Sequence, residues 1–279
     1  MNKQKLEEVL HDLNTVGYHK ANIVDLLGPE GADIYEPISQ LLEDMLNNPG
    51  IQHRLETIKQ GLNIINKDKF YEITHQEHLN RALGLKDGGL FDFYLNDFFN
   101  ELAERYLETD TPEIYNVLAW IHGEQPPSRS GSQNWHRDLE DLKILKIFMY
   151  CNDVTLKNGA LQYTPKSFCG GDFPLNVGRT TDADYRAVRI LNSEQEELCN
   201  KVAVTFEGGP GDIMIVNNTG YHRGGLVTEG FRCMVHALYI RPDAQFKPAN
   251  INYDSQVNIV DPNSEEYKNL KHKQKYIKL

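Results

Sequence analysis

A histidine and an aspartate lie two residues apart in the segment Asn134-Trp-His-Arg-Asp138. If this segment is a strand, His136 and Asp138 point to the same face, because side chains alternate along a strand. His222 follows an apolar segment in turn-rich sequence and is the candidate for a third ligand. Two histidines and one carboxylate on one face of an octahedral ion leave three positions open, the arrangement of non-heme iron(II) oxygenases. The spacing alone is a weak signal, since 10 histidines and 40 acidic residues produce such pairs by chance.

Other residues whose side chains could carry chemistry give weaker evidence of function. Lys146 and Tyr150 share one face of a very apolar segment, where a lysine either faces solvent or meets an anion. The sequence His75-Gln-Glu-His78 lacks the HExxH register and is interpreted as a solvated helix face. Gly224 and Gly225 are expected to allow a tight bend after the distal histidine.

The elements that must position these side chains begin with helices. Apolar residues recur at helical spacing, which turns one face of each helix inward. The three sets are Leu6, Val9, Leu10 and Leu13; Ile34, Ile38, Leu41, Leu42 and Met45; and Leu95, Phe98, Phe99, Leu102 and Tyr106. Thr111-Pro112 is expected to stop the third of these helices.

Strand patterns follow the helices. Short segments rich in Val, Ile, Phe and Tyr, separated by turn signals, lie at about 114–121, 142–151, 202–206, 212–217 and 231–240. Helices first and strands after predict an α+β chain in which helices brace an antiparallel sandwich or barrel. Residues 123–133 and about 167–200 are long and loop-like, with a short helix expected near 193–200. Loops of this length are typical of lids and binding loops.

Composition limits the partners of the chain. A formal net charge of −11 disfavours nucleic acid and anionic membranes, because phosphate contacts need a basic surface. The basic cluster Lys271, Lys273, Lys275 and Lys278 is interpreted as a solvated tail. No stretch approaches the ~18 to 20 apolar residues of a membrane span, and the first residues have no apolar signal core. These observations predict a cytoplasmic protein that binds a small molecule, with its four widely spaced cysteines reduced.

The most specific signal is the order of several short motifs. It is carried by WHRDLEDLKILKIFMYCNDVTLKNGALQYTPKSF, from Trp135, and by the later GGPGDIMIVNNTGYHRGGLVTEGFRCMVHALYIRP. This text closely resembles the phytanoyl-CoA dioxygenase family of 2-oxoglutarate oxygenases. Members of that family show, in this order, WHxD, a strand ending in Asp-Val, Gly-x-Leu-x-x-x-Pro, a Gly-Asp turn before a strand, a distal His-x-Gly and an Arg. The resemblance covers residues 134–242, less clearly between 169 and 200.

The resemblance implies a double-stranded β-helix, a cupin-like jelly roll, braced by amino-terminal helices. It implies a single domain over residues 1–279, with a helical part at about 1–110, a core at about 113–242 and a tail at 243–279. The implied cofactors are Fe(II), 2-oxoglutarate as co-substrate and dioxygen. The implied catalytic residues and metal ligands are His136, Asp138 and His222.

The resemblance also implies a site for 2-oxoglutarate. Arg232, ten residues past the distal histidine, is the implied salt-bridge partner of its far carboxylate. A guanidinium suits this role, because its planar two-donor fork matches a carboxylate and stays charged. Lys146 and Tyr150 are predicted to contact the co-substrate as well. His236 shares the strand face of Arg232 and is interpreted as a core histidine, with a supporting role in the site as the alternative.

The implied reaction oxidises an unactivated carbon while 2-oxoglutarate is converted to succinate and carbon dioxide. Hydroxylation is the expected outcome, and desaturation, ring closure or epimerisation are variants of the same chemistry. Asp138 argues against halogenation, since related halogenases have Gly or Ala there. Family members often read Pro-Gly-Ser-His where this chain has Pro165-Lys-Ser-Phe168, so any role of that histidine is absent here.

Two alternatives stay open, and the substrate is predicted only by class. A jelly-roll metalloenzyme that does not use 2-oxoglutarate would have no need of Arg232, and a non-catalytic binding module would have no need of the intact triad. An acyl-CoA substrate calls for a basic patch that the sequence lacks, so a neutral or cationic small metabolite of secondary metabolism is predicted. Acidic residues near the predicted site and lid support this class: Glu124, Glu140, Asp141, Asp172, Asp182 and Asp184. Residues 168–200 are predicted to form a mobile lid.

Overall fold

The candidate ligands lie between two antiparallel sheets, with helices covering the far side of the larger one. The computed structural model describes residues 2–60, 72–73, 93, 96–124, 129, 131–176 and 191–244. The helices are α1 (Lys3–Thr15), α2 (Ile23–Leu27), α3 (Pro29–Leu46), α4 (Pro49–Lys59), α5 (Asp97–Leu107) and α6 (Ser193–Val202). The strands are β1 (Tyr18–Asn22), β2 (Glu72–Ile73), β3 (Glu113–Gly123), β4 (Leu145–Tyr150), β5 (Leu161–Tyr163), β6 (Val204–Phe206), β7 (Asp212–Asn217), β8 (His222–Arg223) and β9 (Phe231–Ile240).

The predicted helical stripes account for the helical layer. All four apolar residues of the α1 stripe are buried, as are Ile38 and Leu42 of α3. Asn2 caps α1 by accepting a hydrogen bond from the Lys5 N–H, which satisfies one of the donors left over at a helix start. The third stripe forms α5 from Phe98 onward, while Leu95 lies outside the described residues. The helix ends at Leu107, before the predicted Thr111-Pro112 stop. A left-handed residue, Glu108 at φ 56°, ends it instead.

The larger sheet has the strand order β1-β7-β4-β9-β3-β2, and the smaller has β6-β5-β8. Every neighbouring pair is antiparallel. The five predicted strand segments are confirmed as β3, β4, β6, β7 and β9. The mixed helical and antiparallel architecture is therefore confirmed, although within the described residues the sheets do not close into a barrel.

Two strands contradict the predicted order of helices before strands: β1, and the two-residue β2, which precedes α5. Residues Tyr18–Asn22 form β1, which pairs with β7 at the edge of the larger sheet. The segment YHKAN has little of the apolar alternation of a strand, so its local sequence does not predict β1. It becomes a strand because the exposed edge of β7 offers unpaired backbone groups.

The two faces of the larger sheet pack against different parts of the protein. Alternate residues such as Ile147 and Met149 on β4 join the helices in one apolar core. Their neighbours Phe148 and Tyr150 face the smaller sheet and pack in a second core with residues such as Tyr163. A strand buried on both faces reads as a continuous apolar run, which explains the composition of β4.

Several predictions lie wholly or partly outside the described residues. They concern the His75–His78 pair, the carboxyl-terminal tail and part of the predicted lid, of which residues 177–190 are not described. The helix expected near 193–200 is confirmed as α6. The division of the chain into a single domain stays a prediction. None of the described helices is long and apolar enough to cross a membrane.

Candidate metal centre

His136, Asp138 and His222 converge in the structure. One ligand atom from each lies within 4.8 Å of the others. The segment around His136 is not the predicted strand but an isolated bridge to His222. The two residues exchange backbone hydrogen bonds, with N···O distances of 3.1 and 3.0 Å. This reciprocal pairing brings the two imidazole rings to 4.3 Å between centroids. A single bridge, instead of the expected strand, therefore positions His136.

Backbone carbonyls orient both imidazoles. His136 Nδ1 lies 2.8 Å from the Asn134 carbonyl oxygen, and His222 Nδ1 lies 2.9 Å from that of Gly220. A carbonyl only accepts, so each Nδ1 carries the hydrogen and each Nε2 presents a lone pair. Both Nε2 atoms lie 3.8 Å from Asp138 Oδ1. Such carbonyl contacts are the usual means of fixing the tautomer and direction of a metal-binding histidine.

The electrostatics of the site also suit a cation. Burial, followed by the neighbouring ring of His136, lowers the pKa of His222 to about 3. Burial by itself would raise the pKa of Asp138, but Lys146 and the two histidines hold it well below its usual range. A neutral imidazole and an ionised carboxylate are the protonation states that bind a divalent ion. The donor set therefore fits the predicted iron(II).

Asp138 offers its two oxygens to different neighbours. Oδ1 faces the histidines, whereas Oδ2 lies 3.3 Å from Lys146 Nζ and accepts a hydrogen bond from Asn218 Nδ2. Lys146 shares the inner face of β4 with Tyr150, as predicted, but its described contact is with Asp138. Asn218 was missed by the sequence analysis, because in Asn217-Asn-Thr-Gly220 it has the appearance of an ordinary turn residue.

Arg232 and Tyr150 both lie in the interior, and the Arg232 charge is close enough to affect the Tyr150 hydroxyl. Arg232 is 3% exposed, and its Nη1 donates to the Gly159 carbonyl oxygen. Tyr150 is fully buried, and its hydroxyl oxygen accepts from the Leu161 N–H at 2.9 Å. Burial raises the pKa of Tyr150 to about 12, although the Arg232 charge opposes the rise. Their part in binding a co-substrate stays a prediction.

A tight bend was expected at Gly224 and Gly225, but the structure has neither a turn nor a bend there, and neither glycine has a positive φ. Glycine is needed at both positions because there is little room for a Cβ atom. A Cβ on Gly224 would lie 3.3 Å from Arg232 Nη2, and one on Gly225 would lie 2.6 Å from the Ala160 carbonyl oxygen. The segment after the distal histidine can therefore pack directly on the Gly159–Ala160 backbone and on the guanidinium.

His236 and Arg137 are buried beside the site. His236 lies between Trp120 and Phe148, with ring centroids 4.8 and 5.6 Å away, which agrees with a core histidine. Arg137 points away from the ligands on either side of it. It donates to the Ser167 carbonyl at 2.7 Å and lies 4.0 Å over the Tyr221 ring. It thereby ties the ligand segment to the loop after β5.

Among the acids predicted to surround the substrate, Glu140 has a pKa that depends on the ligand Asp138. Burial, followed by the charge of Asp138, raises the pKa of Glu140. Glu124 instead pairs with Lys59 at 3.2 Å, and the Asp141 side chain accepts from the Leu142 N–H at 2.8 Å. Asp172 is exposed, and the remaining two acids lie outside the described residues.

The family model of phytanoyl-CoA dioxygenase (PhyH) matches residues 33–234, which is most of the chain. The chain belongs to the phytanoyl-CoA dioxygenase family. The matched range contains the three candidate ligands and Arg232. A comparison with curated protein sequences found no significant match.

Solved structures show the same fold at low identity. The α-ketoglutarate-dependent epimerase SnoN from nogalamycin biosynthesis is 15% identical, covers 90% of this chain and 89% of its own, and has a TM-score of 0.55. SnoN in complex with Fe3+, α-ketoglutarate and nogalamycin RO is 13% identical over 88% of each chain, with a TM-score of 0.52. EctD from S. alaskensis with 2-oxoglutarate and 5-hydroxyectoine is 15% identical over 88% of this chain and 78% of its own, with a TM-score of 0.53.

The family and the donor set together confirm the predicted cofactors. PhyH-family membership and the His-Asp-His triad agree with Fe(II), 2-oxoglutarate and dioxygen. The likeness to SnoN and EctD supports the jelly-roll fold. This PhyH-family chain is thus an oxygenase of the iron and 2-oxoglutarate class.

Proposed function

We propose that this PhyH-family protein hydroxylates an unactivated carbon of a small, neutral or cationic metabolite, using Fe(II), 2-oxoglutarate and dioxygen. The observation that carries the proposal is the convergence of His136, Asp138 and His222, with ligand atoms within 4.8 Å of one another. Two oriented imidazoles and one carboxylate form the facial triad of these enzymes. We also propose that the protein acts in the cytoplasm and binds neither nucleic acid nor a membrane.

The residues of the chain have separate tasks in this function. When bound, iron and 2-oxoglutarate supply the oxidising chemistry, which belongs to the cofactors and not to the side chains. His136 and His222 present Nε2 lone pairs, and Asp138 presents Oδ1. Arg232 binds the far carboxylate of 2-oxoglutarate in a buried, low-dielectric place, where a charge-assisted pair is strong. The hydroxyl hydrogen of Tyr150 is a second donor, since the Leu161 N–H already serves its oxygen.

The predicted substrate class is supported by the charges close to the triad. Glu140 is half-buried, and the charge of Asp138 contributes to its raised pKa. Lys146, a cation beside the triad, is paired with Asp138 at 3.3 Å, and Arg223 lies 4.4 Å over the Trp135 ring while donating to Gln162. Both cations are therefore engaged, which favours a neutral or cationic substrate over a phosphate-bearing one.

The test of the proposed class is an anaerobic titration with Fe(II) and 2-oxoglutarate. A weak visible charge-transfer band is expected only when both are bound together, and His222→Ala is expected to lose it. A metalloenzyme that does not use 2-oxoglutarate would bind iron without the band. A non-catalytic module would bind neither.

The test of the reaction type is product mass under dioxygen. A screen of metabolites made by neighbouring genes would be scored first by substrate-triggered succinate release. Hydroxylation adds one oxygen atom, desaturation and ring closure remove two hydrogen atoms, and epimerisation leaves the mass unchanged. A product without added oxygen would refute hydroxylation while leaving the cofactor assignment intact.

A further inference from the structure

We propose that Lys146 and Asn218 are positioning residues that hold the second oxygen of Asp138, so that this carboxylate gives the metal one oxygen only. The inference rests on the proposed function, because it assumes that Asp138 is a metal ligand. It assigns Lys146 to the carboxylate of the protein and not to that of 2-oxoglutarate. It also gives a role to Asn218, which the motif order did not identify.

The two oxygens of Asp138 are distinguished by their surroundings. Oδ1 is equidistant from the two histidine Nε2 atoms, at 3.8 Å from each. Oδ2 is contacted from other directions by an ammonium and by an amide N–H group. Carboxylates bind metals through one oxygen or through both. With Oδ2 already serving two donors, the arrangement selects the one-oxygen mode.

Asn218 and Lys146 together form a clamp on Asp138 Oδ2. Asn218 is held rigidly enough to act as one half of it. It is 0% exposed, its backbone N–H donates to the Ile144 carbonyl at 3.1 Å, and its own carbonyl accepts from the Asp138 N–H at 3.0 Å. Backbone and side chain of Asn218 therefore both bind the ligand residue. Its position is set by the turn after β7 and by the entry to β4, two elements that meet at the metal centre.

The amide orientation of Asn218 is set by its surroundings. Nδ2 donates to Asp138 Oδ2 and lies 3.1 Å from His222 Nε2. Turning the amide over would place its oxygen against an anionic oxygen and a nitrogen lone pair, which repel it. Among the described residues no hydrogen bond reaches the buried Oδ1 atom. Within the described residues, Oδ1 thus stays without a hydrogen bond while Nδ2 faces Asp138 Oδ2 and His222 Nε2.

Lys146 supplies the other half from the inner face of β4. Its side chain is 16% exposed, and its ammonium lies 5.3 Å from the Phe148 ring centroid. Within the described part of the chain, its hydrogen-bond acceptor is Asp138 Oδ2. A lysine on an apolar strand is retained where it meets an anion, and here that anion is the ligand carboxylate.

The consequence concerns the open positions of the ion. A carboxylate that turned to bind through both oxygens would take one of the three positions that a bidentate co-substrate and dioxygen need. The clamp prevents that rotation. It also draws electron density from Asp138, because donors on Oδ2 make the carboxylate a weaker ligand.

The experiment compares four variants with the wild-type protein. Lys146→Met removes charge and donor with little change in volume, Lys146→Arg keeps both, and Asn218→Ala removes the amide. Lys143→Met is the matched control, since Lys143 is half-exposed and pairs with Glu108 at 2.6 Å, away from the ligands. Each folded variant is measured for Mn(II) affinity by calorimetry and for the position of the Fe(II)–2-oxoglutarate absorption band.

The expected results follow from the two roles of the clamp. Lys146→Met and Asn218→Ala should each weaken Mn(II) binding about 10-fold or more, because the lost orientation of Asp138 outweighs its gain in donor strength; this is the range found when a residue that orients a metal ligand is removed. Both should shift the band to longer wavelength, because Asp138 becomes a stronger donor. Lys146→Arg should restore most of both properties, and Lys143→Met should match wild type.

Other outcomes would separate the two proposals. Tighter Mn(II) binding by Lys146→Met would show that its charge only repels the ion, and unchanged affinity in both variants would remove the clamp. If Lys146→Met does not fold, Asn218→Ala decides the question alone by the same two measurements. A wild-type protein that binds no divalent metal would overturn the proposed function itself.

Discussion

His136 and His222 exchange a pair of backbone hydrogen bonds, although they belong to different motifs of the chain. The bridge fixes the main chain of both ligands without involving either imidazole. Side-chain substitutions at the metal centre should therefore leave the local backbone in place. The backbone that holds the ligands is therefore independent of the side chains that donate to the metal.

His136→Ala, Asp138→Ala and His222→Ala should each abolish succinate production and leave the protein folded. The backbone bridge and the two apolar cores survive these truncations, whereas one donor to the ion is lost. The measurements are succinate release and a thermal unfolding curve for each metal-free variant. Turnover at the wild-type rate in any one variant would remove that residue from the site.

Arg232→Ala should chiefly raise the 2-oxoglutarate requirement. Removing one partner of a desolvated charge pair costs about 2 to 5 kcal/mol, so the co-substrate affinity should fall by a factor of about 30 or more. Mn(II) affinity should stay unchanged, since Arg232 is not one of the three metal ligands and its described hydrogen bond goes to the Gly159 carbonyl oxygen. An unchanged 2-oxoglutarate requirement would favour the metalloenzyme that does not use this co-substrate.

Gly224→Ala and Gly225→Ala should have different effects although the residues are adjacent. The new methyl group of Gly224→Ala would lie 3.3 Å from Arg232 Nη2, so it should displace the guanidinium and weaken 2-oxoglutarate binding several-fold. That of Gly225→Ala would lie 2.6 Å from the Ala160 carbonyl oxygen and should destabilise the fold by about 1–3 kcal/mol. Co-substrate titration and urea unfolding distinguish the two. The same phenotype in both would contradict the separate roles.

The metal-free protein should lose stability as the pH falls from about 6.5 toward 4. The pKa of His222 is lowered to about 3 in the folded state, so below its ordinary value the unfolded chain binds the extra proton. Stability is therefore present above the unfolded pKa and is lost on acidification, by at most about 1.4 kcal/mol per pH unit for one group. Asp138, whose folded pKa is also lowered, adds to the loss in the same direction at lower pH.

Urea unfolding in the presence of a chelator, at several pH values, measures this slope. His222→Asn should flatten it between pH 6.5 and 4, because the neutral amide does not titrate. A wild-type stability that rises on acidification would show that His222 is protonated in the folded protein.

The local sequence determined most of the elements and the identity of the donors. Helical periodicity placed the stripes of α1 and α5, and alternation with turn signals placed β7 and β9 at their observed bounds. These patterns are readable because a helix or strand buries a repeating face within one continuous segment. The order of motifs likewise identified the two histidines and Asp138, since donor chemistry depends on residue type.

Only the tertiary structure decided what each donor touches. The strand β1 exists because the edge of β7 accepts it, and the ligand segment is held by one bridge to His222 instead of by a strand. Lys146 was predicted to meet an anion, and the fold supplies Asp138 as that anion. Asn218 reaches the carboxylate only because the turn after β7 passes beside it. Such contacts join residues far apart in the chain, and a distance between them is a property of packing that no local pattern encodes.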